Sequence, residues 1–148
     1  MIRRVFLFVL LGLISSSAAF GQAASPARFL VAVKTSGDSA VASEIEGCIK
    51  QELASLDNVV ISDTKPDYTI NVIAMEIVNK EKVSMGIAVT WLSLYHPKGF
   101  FEDCNLIEDY RLLTFDKEEI RSNCRHLVAR FNTKSLEPHR KVFEKPKP

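Results

Sequence analysis

Residues 68–95 decide the fold: Tyr68-Thr-Ile-Asn-Val-Ile-Ala-Met-Glu-Ile-Val78, then Asn79-Lys-Glu-Lys82, then Val83-Ser-Met-Gly-Ile-Ala-Val-Thr-Trp-Leu-Ser-Leu-Tyr95. In the second run Val83, Met85, Ile87, Val89 and Trp91 fall on one face, while Ser84, Gly86, Ala88 and Thr90 fall on the other. That two-residue period is a long, half-buried strand. The polar tetrapeptide before it is a turn, so the two runs pair antiparallel as a hairpin. The first run is less regular. Tyr68, Ile70, Val72 and Ala74 hold one face, then Ile73, Met75 and Ile77 supply apolar residues on the other. Either a bulge makes that switch or the strand is covered on both faces.

Upstream, residues 29–33 (Phe-Leu-Val-Ala-Val) are apolar on both faces, as a central strand is. Ser36, Gly37 and Asp38 break the strand and offer oxygens to cap a helix. Val41, Ile45, Cys48, Ile49, Leu53 and Leu56 then recur at three- and four-residue steps, one face of an amphipathic helix. A short strand follows at 59–61, and Pro66 places a connection before the hairpin, with Lys65 restricted to extended backbone. Downstream, 97–105 reads as a loop and 106–114 as a weaker edge strand. Asp116 and Glu119 form a capping box before the stripe Ile120, Cys124, Leu127, Val128 and Phe131, a second amphipathic helix. Prolines and cations then predict a loosely held tail over 134–148. The order β-α-β-β-β-β-α implies an α+β two-layer sandwich, a mainly antiparallel sheet with two helices on one face, in a single domain over 25–133.

The helix from Ile45 to Leu56, the strand Val59-Val60-Ile61 and the run Asp67-Tyr68-Thr69-Ile70-Asn71-Val72 together resemble small exported domains of the TolB amino-terminal-like group. The resemblance spans roughly residues 28–95 and is one of hydrophobic pattern. It implies a bacterial envelope setting and a role in protein interaction. Several envelope relatives carry a lipoprotein cysteine, and this chain departs from them: its first cysteine is Cys48.

The amino-terminal segment fits that setting. Arg3 and Arg4 precede an apolar run over 5–14, and 15–24 is rich in small residues, with cleavage points after Gly21, Ala23 or Ala24. This is the pattern of a secretory signal peptide over 1–24. Its apolar core is well short of the ~20 residues that span a bilayer. We therefore expect a soluble mature protein, periplasmic or secreted, without stable membrane insertion. The 148-residue chain has 19 Lys and Arg against 18 Asp and Glu, and removing Arg3 and Arg4 takes its formal charge from +1 to −1. A nucleic-acid partner would call for a basic excess, so none is expected.

Three cysteines remain after export. Helix lengths bring Cys48 and Cys124 together near mid-sheet, which makes them the disulfide candidates and leaves Cys104 unpaired. Two buried thiols serving as small hydrophobes are the alternative. For thiol chemistry the better pair is His96 and Cys104, flanking one loop, because Cys124 and His126 on a helix do not face each other. No metal-ligand spacing occurs, and the acidic cluster Glu102, Asp103, Glu108 and Asp109 lacks the order of a calcium loop. Neither a phosphate-binding glycine loop nor a dinucleotide fingerprint is present, so no cofactor is expected. Arg140, Lys141, Lys145 and Lys147 make the tail cationic but give it no apolar face. Tyr95, Phe100 and Phe101 around one loop form either a partner patch or a cap on the core.

The expectation is thus an exported, non-catalytic module that binds an envelope protein through a sheet edge or this loop patch. A small extracytoplasmic enzyme using a loop thiol and a binder of small apolar ligands are the alternatives.

Overall fold

The structure, a computed structural model, describes residues 28–98 and 104–143. The element order matches the sequence pattern through the second helix: β1 (Phe29–Gly37), α1 (Ser39–Ala54), β2 (Val59–Ile61), β3 (Tyr68–Val78), β4 (Ser84–Tyr95), β5 (Leu106–Phe115) and α2 (Ile120–Phe131). The five strands form one mixed sheet in the order β2-β1-β3-β4-β5. β1 runs parallel to β2 and β3. The longer ladders, β3 with β4 and β4 with β5, are antiparallel. This is the α+β sandwich that the pattern implies, with the two helices on one face.

That face carries the core. Phe29, Val31 and Val33 of β1, Tyr68, Ile70, Val72 and Ala74 of β3, and Ile87, Val89 and Trp91 of β4 are buried under the helices. α1 contributes Val41, Ile45, Ile49 and Leu53, and α2 contributes Ile120, Cys124, Leu127, Val128 and Phe131. Each large side chain so buried is worth about 1.5–3 kcal/mol. Both helices present the stripes read from the sequence because only those positions return every turn to the sheet.

Four local expectations change. First, Asp38 does not cap α1 through its side chain. Its carboxylate instead accepts the Glu76 N–H at 2.7 Å, tying the helix start to β3. The strand also runs on to Gly37, whose φ is 112°. A Cβ there would lie 1.9 Å from the Ala74 carbonyl oxygen, so only glycine lets β1 turn into α1 beside β3.

Second, Lys65 is left-handed, with φ 45°, rather than extended. β2 ends and β3 begins at the level of Val31, on opposite sides of β1. The connection 62–67 must therefore cross β1 in six residues, with β3 running on in the direction of β2. It is pinned where Ser62 N–H donates to the Val31 carbonyl and Asp67 N–H to that of Leu30. The Asp67 carboxylate in turn accepts the Leu30 N–H at 2.8 Å.

Third, β3 neither switches faces nor is covered on both. Ala74 stays buried while Ile73, Met75 and Ile77 are exposed on the helix-free side, and the register shift comes only at Ile77/Val78.

Fourth, the chain does not loosen at 133. α2 passes through a π-helical stretch, Asn132–Leu136, into a third helix, α3 (Glu137–Phe143). Leu136 and Ser135 are 0% and 1% exposed, so the segment is anchored in the core. Pro138 lacks an N–H and its ring crowds the carbonyl four residues back, which a widened turn relieves. The proline that suggested a tail therefore sits just inside a helix start, where it is tolerated. The signal peptide over 1–24 and residues 144–148 lie outside the described residues.

Candidate functional site

Three regions concentrate chemistry: the loop end of β4 and β5, the cysteines between the helices, and the helix-free face of the sheet.

At the loop end, Tyr68 is fully buried, its ring 6.0 Å from Phe29, 5.2 Å from Tyr95 and 5.3 Å from Phe131. Its hydroxyl donates to the Ser135 carbonyl at 3.2 Å and meets Nδ1 of His139. Burial above all pushes the Tyr68 phenol far up, with nearby Glu108, Tyr95 and Asp67 adding to it, so it stays neutral and serves as a structural donor. Tyr95 is half-buried and stacks on His139 at 4.6 Å, closing the core under α3. Its proposed companions Phe100 and Phe101 lie outside the described residues, as do Glu102 and Asp103.

His96 spends both ring nitrogens on neighbours: Nε2 is 2.7 Å from the Thr69 hydroxyl and Nδ1 is 2.5 Å from Oδ1 of Asn105. Cys104, next to Asn105, is exposed. The imidazole is thus held by a threonine and an asparagine rather than aimed at the thiol. Glu108 is half-exposed, and Asp109 is committed elsewhere. Arg130 of α2 grips it with two bonds, Nε to Oδ2 at 2.7 Å and Nη2 to Oδ1 at 3.3 Å. This fork holds the Asp109 carboxyl below the usual carboxylate range and ties edge strand β5 to α2.

The cationic residue Arg140 also has a structural task. Its Nη2 donates to Oδ1 of Asn58 and Oδ1 of Asn132, each at 2.6 Å, which clamps α3 to the loop after α1. A surface cavity of about 320 Å³ opens beside it, lined by Asp57, Asn58, Asn132 and Arg140 among others.

Between the helices, Cys124 is buried and Cys48 half-buried, both as thiols. The Cys124 Sγ lies 4.0 Å from the Ile45 carbonyl. Burial above all pushes the Cys124 thiol up, and the Cys48 thiol pushes it further. A groove of about 480 Å³ reaches Cys48 from solvent past Ser43, Glu44, Lys117 and Arg121. Among the described residues no cluster of three or more potential ligands could hold a metal ion. No helix among them is long and apolar enough to cross a membrane.

The helix-free face is the feature that sequence reasoning did not assign. Residues paired in register share a face, so the rows Ile73–Thr90–Leu112 and Asn71–Leu92–Tyr110 lie side by side on it. One end is closed, with Ala32 and Thr69 buried beside the crossing connection. Among the described residues the rest is exposed or half-exposed and largely apolar, up to β5, whose other edge has no strand beside it. The apolar odd positions of β3 were the signal for it; an uncovered face explains them without a bulge.

No protein-family model matches this sequence, and no curated protein matches it. Solved structures share its fold. A Xanthomonas campestris protein, XCC0632, of the DUF330 family model, aligns with TM-score 0.55 at 8% identity, over 80% of this chain and 92% of its own. The hypothetical protein CT253 of Chlamydia trachomatis aligns with TM-score 0.45 at 9% identity, over 78% and 91%. A PelC dodecamer from Paraburkholderia phytofirmans gives 0.46 at 10%, over 74% and 89%. The likeness to XCC0632 establishes that the arrangement of strands and helices is one found in a bacterial protein, and it says nothing of function.

Proposed function

We propose that this chain is exported after cleavage near Gly21 to Ala24 and acts in the bacterial envelope as a non-catalytic module that binds another protein. The observation that carries this reading is the β5 edge. Ten residues, Leu106–Phe115, border the sheet with one ladder filled by β4 and, among the described residues, no strand on the other side. An extended partner segment can add there as a further strand, gaining backbone hydrogen bonds for affinity and side-chain pairs for specificity. The resemblance to the TolB amino-terminal-like group supports the envelope setting, and the amino-terminal pattern supports export. In the oxidising compartment Cys48 and Cys124 would close as a disulfide, leaving Cys104 free.

The test is a photo-crosslinking residue placed at Leu106, which is 51% exposed at the start of β5, with Glu44 on the solvent side of α1 as control. Irradiation of intact cells should give a discrete adduct with a second envelope protein from Leu106 and none from Glu44. The absence of any such adduct at Leu106, with the protein present in the envelope fraction, would count the reading out.

A further inference from the structure

The helix-free face is self-complementary in a way that the edge is not. Ile73, Met75 and Ile77 of β3 and Ile107, Tyr110 and Leu112 of β5 are 41–70% exposed. All six lie on this face, since each pairs in register with the β4 series Gly86, Ala88, Thr90, Leu92 and Leu94. At roughly 200 Å² for each large side chain, they expose about 700 Å² between them. Half-buried Leu92 and Leu94 extend the patch between the two exposed groups. A standard interface takes ~800 Å² from each partner, so the patch is the size of one half of such an interface. It also exceeds what a monomer ordinarily leaves in water.

Charge decides the kind of occupant. The register-paired positions on this face of β3, β4 and β5 carry no charged residue; Glu76, Asp109 and Arg111 all fall on the helix side. Lys34 stands at the β1 margin, beside Asn71. These uncharged positions present no pattern for a charged partner to read, but they meet their own copies with no like-charge repulsion across a two-fold axis, with Lys34 and the unpaired Glu108 of the β5 register shift at the margins. Flat apolar sheets satisfy one another by stacking ~10 Å apart, as in a sandwich. The row Ile73–Thr90–Leu112 runs through the middle of the patch and would lie near the axis.

We infer that the helix-free face of the sheet is the contact surface of a homodimer, in which two copies stack sheet against sheet through β3, β4 and β5. This pairing leaves the β5 backbone edge open and does not depend on the partner proposed above.

The experiment is sedimentation velocity on the purified protein, with three variants on the central row: Ile73→Asp, Thr90→Arg and Leu112→Asp. These positions are exposed or half-exposed, and each change enters a two-fold interface twice. Buried Trp91 fluorescence and circular dichroism check that each variant is folded. The wild type should be a dimer at micromolar concentration, and every folded variant should dissociate with a constant raised by roughly 100-fold or more. A wild type that stays monomeric to ~100 μM overturns the inference, whether or not the monomer binds lipid vesicles or another protein. A dimer broken by Leu112→Asp but untouched by Ile73→Asp also overturns it, because that result places the contact at the β5 edge.

Discussion

Leu136 offers the sharpest test of how the carboxyl-terminal segment contributes to the fold. It sits in the π-helical stretch with no exposed surface, in the same core cluster as Phe131 and next in sequence to Ser135, whose carbonyl accepts the Tyr68 hydroxyl. Leu136→Ala removes a fully buried branched side chain and leaves a cavity that fixed neighbours cannot fill. Such truncations cost about 2–5 kcal/mol, against a total stability of roughly 5–15 kcal/mol for a small domain. For a domain of this size that corresponds to a fall in Tm of roughly 8–20 °C. The assay is built in, because Trp91 is the chain's one tryptophan and is 1% exposed, with its ring 6.3 Å from that of Phe131. Urea and thermal unfolding followed by its fluorescence report on the layer that Leu136 supports. Val142→Ala is the control, since Val142 is 64% exposed in α3 and should change Tm by little. If Leu136→Ala melts within 2 °C of the wild type, the segment is not part of the folded unit and the packing argument fails.

Other outcomes follow from the same geometry. Gly37→Ala should destabilise by more than ~1 kcal/mol, because a Cβ meets the Ala74 carbonyl at a φ that side chains avoid; an unchanged urea midpoint would contradict it. Arg130 lowers the pKa of Asp109 in the folded state, so its stabilisation is present above the unfolded carboxyl value near 4 and is lost as pH falls through the lower folded value. Asp109→Asn should therefore be less stable than the wild type at pH 7, with the gap closing below pH ~4; a gap independent of pH would refute the ion-pair account. Oxidation should link Cys48 to Cys124, closing a loop long enough to be worth about 4 kcal/mol. Reduction of the oxidised protein should then lower its Tm, while a disulfide mapped to Cys104 would reject the pairing. In the reduced native protein, burial should make Cys124 the slowest of the three thiols to alkylate at neutral pH.

Much of this architecture is legible in the sequence because period and punctuation act locally. The alternation from Ser84 to Trp91 and the stripe from Ile120 to Phe131 each need only a partner surface of the right kind, and the chain supplies one. What the pattern could not settle is where local preference yields to tertiary geometry. Lys65 is left-handed despite Pro66, because the connection must cross β1 within six residues. Asp38 gives its carboxylate to β3 rather than to its own helix. Pro138 reads as a terminator but is absorbed by the π-helical stretch, and no periodicity signals that Leu136 would find a hole in the core. The helix-free face was visible only as an irregularity at Ile73, Met75 and Ile77. Apolar residues on both sides of a strand ordinarily mean two covered faces, whereas here the second cover is absent from the chain's own described layers.

The account stands or falls most directly on export, and one mass measurement addresses it: the intact protein from an envelope fraction, alkylated with and without prior reduction. The account predicts a mass beginning between residues 22 and 25, one alkylated cysteine before reduction and three after. A mass that retains Met1 to Ala24, with three cysteines open to alkylation without reduction, would contradict both the signal peptide and the disulfide.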